Sequence, residues 1–356
     1  MPYKHLLKPI LFRFDPEAVH DFFIAGGEKL GNLALGRFLI ASTYNYKGSQ
    51  IAKDVDGLHY RTPFLLAAGF DYNARLTNIL PSIGLGGEEI GSVTARACAG
   101  NAKPRLKRLP HSQAIVVNKG LRNDGVDTII ERLKETARKN STQQDFVKGI
   151  SIARTNDNQS VSIEAGIADY LYSFRRLNEE KVGDYYTINI SCPNAFGAEA
   201  FTDPKLLDQL LSALKKVPCA KPVYIKMPIN LAWADFHELL KVIDLHGLQG
   251  VVIGNLNKDY TSLKDQTETP VTYEGGLSGA PCQKPSTELI RKTREVYGSR
   301  FTIIAAGGVM SPADALEKIA AGADLIQLIT GLIYEGPGLV KKMCWVVASN
   351  TVRLPK

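Results

Sequence analysis

The sequence predicts an α/β protein, a (β/α)8 TIM barrel preceded by a small N-terminal helical extension. Eight short apolar runs recur after Tyr60, and amphipathic stretches of helical period lie between most of them. Many runs end in glycine or a polar residue, as strands do where barrel enzymes bind their ligands. The runs cover residues 64–68, 89–93, 147–153, 185–190, 223–227, 250–254, 301–306 and 324–330, and the helical stretches 125–140, 163–180, 204–217, 233–246, 286–297 and 311–321.

Residues 1–48 form the predicted extension, and residues 49–356 form the barrel. Apolar residues cluster in 5–14 and 16–40, with basic residues between them, and Asp15-Pro16 is typical of a helix start. We expect two short helices with a broad apolar face. This face either packs on the barrel or forms an apolar entrance that lies in a membrane interface without spanning the bilayer. Within the barrel, residues 256–285 are expected to be a long irregular active-site loop.

Composition narrows the class of protein. The chain has 356 residues and is 44% hydrophobic. It carries a net charge of +7, but its basic residues are scattered, so no nucleic-acid partner is expected. Attraction to anionic lipid explains the positive net charge equally well. Its five cysteines are far apart, without a zinc or disulfide pattern, which favours a reducing compartment and no metal site. No apolar run is long enough for a spanning helix, and no signal peptide is expected.

The fourth run ends in polar groups that can carry chemistry. Because Pro193 cannot continue a strand, Asn189, Cys192 and Asn194 are delivered together at its carboxyl end. Two carboxamides beside a thiol can hold a polar planar molecule and take a proton from it. The alternative is a turn with a buried cysteine and side chains that cap the backbone.

Two further features predict an anionic ligand. Gly307-Gly308 and Thr330-Gly331 follow the seventh and eighth runs, the usual phosphate position of barrel enzymes, although tight turns without a ligand are the alternative. Lys226 ends the fifth run among apolar residues. Its burial is costly unless it meets an anion or a polar ring, or unless it extends to solvent at the barrel rim.

Short motifs at these places show a family resemblance. They are Leu66-Ala67-Ala68-Gly69-Phe70-Asp71, Gly91-Ser92-Val93-Thr94, Lys103-Pro104-Arg105-Leu106, the segments 118–127 and 189–194, Gly275-Gly276-Leu277-Ser278-Gly279, and Ala306-Gly307-Gly308. In order and spacing they resemble the dihydroorotate dehydrogenases. The segment 11–20 resembles the helical extension of the class 2 members, which are quinone-linked and membrane-associated.

The resemblance implies a barrel that holds FMN and oxidises dihydroorotate to orotate in pyrimidine synthesis. Cys192 then takes the C5 proton while C6 gives hydride to flavin N5, and a quinone reoxidises the flavin through the extension. The implied substrate contacts are Asn118, Leu121, Arg122, Asn189, Asn194 and Asn255. The implied cofactor contacts are Ala68, Gly69, Tyr72, Ser92, Ser151, Asn189, Lys226, Gly254, Gly279, Gly307, Gly308, Ile329 and Thr330. His20 and Arg108 match the quinone tunnel. The implied location is a membrane surface, the cytoplasmic face of a bacterial inner membrane in preference to an organelle.

Several positions depart from the family pattern. Cys192 is the base of the soluble class 1 enzymes, whereas class 2 members normally carry serine. Tyr72 stands where class 2 has a lysine that reaches flavin and substrate. Ser151, Leu256 and Arg122 replace an asparagine, a threonine and an asparagine. Arg122 could supply the missing charge.

These departures leave two alternatives open. One is an FMN-dependent oxidoreductase of the same family that acts on a different substrate, such as a related dihydropyrimidine. The other is a non-catalytic flavin-binding or membrane-docking protein on an inherited barrel.

Overall fold

The fold is the predicted eight-stranded barrel with N-terminal helices. The computed structural model describes residues 3–139, 145–192, 200–270 and 275–351. Within these ranges, eight parallel strands close into a barrel, and all eight correspond to the predicted runs within two residues. The strands of the molecule are β1 (Lys53–Val55), β2 (Leu58–Tyr60), β3 (Phe64–Leu66), β4 (Gly87–Val93), β5 (Leu106–Leu109), β6 (Ala114–Val117), β7 (Val147–Ile152), β8 (Tyr185–Asn189), β9 (Val223–Met227), β10 (Gly250–Ile253), β11 (Gly276–Gly279), β12 (Thr302–Ala306) and β13 (Leu325–Leu328). Around the barrel they follow the order β3-β4-β7-β8-β9-β10-β12-β13.

Amphipathic helices cover the barrel. They are α4 (Val126–Lys139), α5 (Ile163–Glu179), α6 (Pro204–Leu214), α7 (Trp233–Leu245), α8 (Gln283–Tyr297), α9 (Pro312–Ala320), α10 (Thr330–Glu335) and α11 (Gly338–Thr351). In α4, the buried side chains recur at helical spacing, at Val126, Ile129, Ile130 and Leu133, so one face packs on the strands. Side-chain caps fix several helix starts; Asp203 accepts hydrogen bonds from the first two backbone N–H groups of α6.

The N-terminal extension differs in part from the prediction. A π-helical turn (Tyr3–Leu7) runs into α1 (Lys8–Leu11), and Asp15 caps α2 (Pro16–Gly31) by accepting from the Ala18 N–H. The stretch 16–40, expected as one helix, is broken at Asn32, and the chain turns into α3 (Ala34–Tyr44). Glycine at position 36 permits the close approach of α3 to the end of α2, since a Cβ there would lie 2.5 Å from the Leu30 carbonyl oxygen.

The two ends of the barrel have different roles. At the amino-terminal end, the β1–β2 hairpin packs Tyr60 against Tyr185 and Tyr224, and the Tyr224 hydroxyl donates to Asp56 at 2.6 Å. These bulky side chains fill the amino-terminal end of the barrel interior. The carboxyl ends of the strands are left for the site.

The expectation of a long irregular loop over 256–285 is wrong in part. Its described residues contain 3₁₀ turns (Tyr260–Ser262, Gln266–Glu268 and Ala280–Cys282) and the strand β11. β11 pairs antiparallel with β6, which pairs with β5, and this three-stranded sheet lies beside the barrel mouth. The glycine-rich sequence concealed the strand because glycine has low strand propensity. Buried Leu277 anchors it.

A buried carboxyl group on the outer face of β4 makes stability depend on pH. Burial, followed by the nearby Asp71 carboxyl, raises the pKa of Glu88 from 4.5 to about 8. The fold therefore favours the protonated form, and the free energy of unfolding falls as pH rises from about 4.5 toward 8. We expect Glu88→Gln to raise the melting temperature by a few degrees at pH 8 and to have a much smaller effect at pH 5. Calorimetric melting at both pH values checks this, and equal shifts at both would contradict it.

Candidate active site

A cavity of about 380 Å³ joins the carboxyl end of the barrel to the N-terminal helices. Its barrel side is lined by Ala68, Gly69, Ser92, Asn189, Cys192, Lys226, Asn255, Leu256, Ser278, Ile329 and Thr330. Its outer side is lined by Tyr3, Leu11, Phe12, Val19, His20 and Phe23 from the extension. The cavity is therefore polar at its barrel end and largely apolar toward the outside, a shape suited to a ligand with polar and apolar parts.

Asn189 is held firmly by hydrogen bonds at the polar barrel end of the cavity, which we call its floor. It is the last residue of β8, and its Nδ2 donates to Ser92 Oγ at 2.8 Å, while Ser92 Oγ and Ser151 Oγ share a hydrogen bond of 2.8 Å. Its Oδ1 accepts from the N–H of Ser191 at 3.2 Å. These bonds fix the orientation of the carboxamide, and the described residues use one of its two N–H donors.

Cys192 stands beside this carboxamide. It is half-buried and lines the cavity with Asn189 and Asn255. Asn255 Nδ2 donates to the Ser191 backbone oxygen at 2.6 Å, which joins the loops after β8 and β10. The structure thus brings the Cys192 thiol together with the carboxamides of Asn189 and Asn255. Asn194 lies outside the described residues.

Lys226 projects from β9 into the barrel mouth. Its side chain is 6% exposed and lines the cavity, and the residues that the structure describes form no hydrogen bond or ion pair with its ammonium. A buried cation in this state is costly, so the site favours a ligand with an acceptor or negative charge here.

Three glycines near β11 and β12 form a close-fitting backbone surface. Gly279, Gly307 and Gly308 have φ values of 98°, 91° and 77°, a region that favours glycine. A Cβ on Gly308 would lie 2.3 Å from the Gln283 Cα, and one on Gly279 would lie 2.9 Å from Thr330 Cγ2. The hydroxyls of Ser278 and Thr330 are 2.6 Å apart beside them. Packing on Gln283 and Thr330 therefore requires glycine here, and backbone N–H groups and hydroxyls are donors of the kind that bind a phosphate group.

An unpredicted cation lines the cavity where barrel and extension meet. Lys119 is 7% exposed, and its Nζ lies 5.2 Å from the centroid of the Tyr72 ring. It also lies 3.1 Å from Glu17 Oε1 on α2. Burial acts to raise the pKa of Glu17, but the hydrogen bond and charge of Lys119, together with the charges of Arg105 and Lys103, outweigh it and lower that pKa. Tyr72 stands where class 2 members carry a lysine, and Lys119 places an ammonium group against that tyrosine ring.

Arg122 does not take the role that the sequence suggested. Although it lines the cavity, its guanidinium lies 3.1 Å from Glu17 and 3.6 Å from Asp21, and its side chain is 40% exposed. Its charge is directed to α2.

His20 and Arg108 border the outer part of the cavity. His20 Nε2 is hydrogen-bonded to the Phe70 carbonyl oxygen at 2.8 Å, and its ring packs on Tyr72 with centroids 5.2 Å apart. Burial, with Lys119 second, lowers the pKa of His20, so the ring is neutral near pH 7. Arg108 lies over the Phe12 ring at 4.7 Å and donates to the Phe14 carbonyl oxygen.

Most of the predicted site residues meet in the cavity. Those that line it are His20, Ala68, Gly69, Tyr72, Ser92, Arg108, Leu121, Arg122, Asn189, Cys192, Lys226, Asn255, Ile329 and Thr330. Ser151 reaches it through Ser92, and Asn118, Gly254, Gly279, Gly307 and Gly308 lie outside its lining. Asn118 instead accepts a hydrogen bond from Asn101, and its neighbour Val117 faces the cavity.

Barrel and pocket together define an enzyme of the TIM-barrel class, with its site at the carboxyl end of the strands. The sequence profile of the family described as Dihydroorotate dehydrogenase matches residues 50–349. The dihydroorotate dehydrogenase (quinone) of Christiangramia forsetii is 35% identical over 345 residues, which cover 95% of this chain and 96% of that protein. The Gloeobacter violaceus protein of the same description is 35% identical over 361 residues, covering 99% and 94%. The chain belongs to the dihydroorotate dehydrogenase family.

Solved structures support this assignment. The Eimeria tenella enzyme, crystallised in complex with ferulenol, superposes with a TM-score of 0.84 at 25% identity, covering 95% of this chain and 92% of that one. Its ligand-free form gives a TM-score of 0.82, covering 95% and 96%. The similarity includes the N-terminal helices, because the matched part is longer than the barrel.

Proposed function

We propose that this protein binds FMN and oxidises dihydroorotate to orotate, with a quinone as the electron acceptor. The observation that carries the proposal is the single cavity in which a thiol, two carboxamides and a buried lysine open toward apolar N-terminal helices. The family to which the chain belongs uses FMN, and the relatives at 33–35% identity are described as quinone-linked.

The residues present fit FMN. The Lys226 ammonium, which has no partner among the described residues, offers a charge to the flavin ring, while Gly279, Gly307 and Gly308 would hold its phosphate. When bound, FMN supplies an acceptor for the hydride that leaves C6 of dihydroorotate. The chain's own task is to orient the substrate and to exclude water.

Cys192 is the proposed base. Its thiolate takes the proton from C5 of dihydroorotate as hydride leaves C6, so that the C5–C6 double bond of orotate forms. Asn189, held by Ser92, and Asn255, held by Ser191, present carboxamides to the carbonyl and N–H groups of the ring. Both roles need only side chains that already meet in the cavity.

Anaerobic flavin reduction tests the proposal. Purified protein should be yellow, and dihydroorotate should bleach the flavin absorbance; a quinone analogue should then restore it. Retained flavin with unchanged absorbance at millimolar dihydroorotate would refute the substrate while leaving the family intact. If no reductant in a panel of dihydropyrimidines bleaches the flavin, the non-catalytic alternative is supported.

The N-terminal helices support a peripheral membrane contact. Leu6, Phe14, Phe22, Leu33, Leu35 and Phe38 are each at least 59% exposed. Among the described residues, no helix combines the length and apolar content needed to cross a bilayer. We therefore propose that this apolar surface lies in the lipid interface and admits the quinone to the cavity.

Removal of part of this apolar surface should weaken lipid binding. Because each buried side chain contributes about 1.5 kcal/mol or more, we expect Leu35→Ser/Phe38→Ser to lower partition into anionic vesicles by roughly 100-fold. Co-sedimentation with vesicles measures this. Leu245→Ser, on an exposed residue of α7, is the matched control and should leave partition unchanged. Equal partition of the two variants would contradict the membrane role.

The facing pair Tyr72 and Lys119 favours a second candidate, an oxidoreductase of this family with another substrate. Tyr72→Lys alone would place two ammonium groups close together in a buried site, so we expect its melting temperature to fall by several degrees. The exchange variant Tyr72→Lys/Lys119→Tyr keeps one cation and should recover stability. If dihydroorotate reduces the flavin faster in the exchange variant than in the natural protein, the second candidate is supported. An equal or slower rate supports the first.

A further inference from the structure

A second buried lysine lies behind the proposed phosphate loop. Lys318 on α9 is fully buried, and its Nζ donates to the Gln283 backbone oxygen at 3.1 Å and to Ser286 Oγ. Ser286 Oγ in turn lies 3.4 Å from the Gly307 backbone oxygen. Lys318 therefore supports the first turn of α8, against which Gly307 and Gly308 pack directly.

This ammonium stands in an unfavourable place for a cation. The first turn of α8, a helix of 15 residues, carries the positive end of the helix dipole. Its partners are a carbonyl and a hydroxyl, and no carboxylate of the described residues forms an ion pair with it. A buried charge without a counter-charge is costly. An anion bound at Gly307 and Gly308 would offset both the lysine charge and the helix dipole.

We propose that Lys318 is the buried counter-charge for the phosphate of FMN, and that this lysine takes up a proton as FMN binds. The inference rests on the proposed FMN cofactor and extends it to a residue that does not touch the ligand. Lys318 is thus a positioning residue, which acts through Ser286 and the backbone of Gln283 on the glycine loop.

The groups around Lys318 set the direction of the coupling. Burial lowers the pKa of Lys318 to about 7, against smaller opposite effects of Cys282, Glu317 and Asp314. Cys282 is itself buried, which raises its pKa to about 12, so it is a neutral thiol near pH 7. Glu317 interacts with the side chain of Gln283, and Asp314 accepts from the backbone N–H of Met310. Without ligand the lysine is therefore partly neutral at pH 7, and a phosphate dianion would restore its charge.

The pH dependence of flavin binding tests this. Full-length protein freed of flavin is titrated with FMN and with riboflavin, which lacks the phosphate, between pH 7 and pH 9. Flavin fluorescence gives both affinities. FMN affinity should fall by up to about tenfold per pH unit, whereas riboflavin affinity should stay nearly flat. Calorimetry in two buffers of different ionisation enthalpy should show proton uptake with FMN alone.

Two variants and a control separate the charge from the packing. Lys318→Met should weaken FMN binding at pH 7 by about tenfold and remove its pH dependence, with riboflavin binding unchanged. Lys318→Arg keeps a charge at all these pH values and should bind FMN without pH dependence. Lys292→Met, on the exposed face of α8, should behave as the natural protein.

The outcomes distinguish this inference from the cofactor assignment. Equal pH slopes for FMN and riboflavin in the natural protein, or an unchanged FMN slope in Lys318→Met, would overturn the role of Lys318 while FMN remains the cofactor. Failure of both flavins to bind would refute the cofactor and this inference with it.

Discussion

Cys192→Ala should greatly slow the reduction of the flavin by dihydroorotate while leaving the flavin bound. A general base contributes about 10²- to 10⁴-fold to a rate, so the single-turnover reduction rate should fall by that factor. The thiol lies in the cavity beside Asn189, which is held by hydrogen bonds to Ser92 and Ser191, so the floor should survive the change. Anaerobic stopped-flow absorbance measures the rate.

Two companion variants make this result decisive. Cys192→Ser keeps a weaker proton acceptor and should retain more of the rate than the alanine variant. Cys219→Ala removes a half-buried thiol outside the cavity and should reduce its flavin at the natural rate. If Cys192→Ala is reduced normally, another group accepts the proton. If it loses its flavin, the cysteine has a packing role.

Lys226→Met should weaken FMN binding and, at the same time, stabilise the flavin-free protein. The Lys226 side chain is 6% exposed and faces the cavity without a partner among the described residues, so its removal relieves the cost of an unpaired charge when the cavity holds no flavin. With FMN bound, the same change removes a charged hydrogen bond worth about 1.5–3 kcal/mol, which corresponds to roughly 10- to 100-fold in affinity.

Weaker FMN binding together with a higher melting temperature of the flavin-free protein would identify Lys226 as a cofactor-binding cation. Fluorescence titration gives the FMN affinity, and calorimetry gives the melting temperature without flavin. Lys241→Met, on a half-exposed lysine paired with Glu238 on α7, controls for the loss of a charge. A flavin-free Lys226→Met protein that melts lower than the natural one, or binds FMN equally well, would refute the assignment.

The barrel and the position of its floor could be predicted because they follow from local periodicity. A strand run that ends at proline places Asn189 and Cys192 at the carboxyl end of β8, whatever the remote contacts. Alternation of side chains along a strand also explains why Asn118, an implied substrate contact, lies outside the cavity lining. β6 ends at Val117, so Val117 and Lys119 share the face toward the cavity while Asn118 turns away to Asn101.

What could not be predicted depends on contacts distant in sequence. Glu17 and Lys119 are 102 residues apart, and nothing in either local segment indicates that they meet. Likewise, Lys318 looks like a surface residue of an amphipathic helix until α8 is packed over it. The one sequence feature that could have indicated a cation near position 72 is Lys119, which directly follows the implied substrate contact Asn118.

The stacking of Lys119 on Tyr72 also constrains how the two positions vary among relatives. A change at one alone leaves two facing cations at positions 72 and 119 or none at either, and the second case also removes one partner of buried Glu17. Substitution at one position should therefore accompany substitution at the other. In an alignment of the family, we expect position 72 and position 119 to covary, with lysine at one of them and an aromatic or neutral residue at the other.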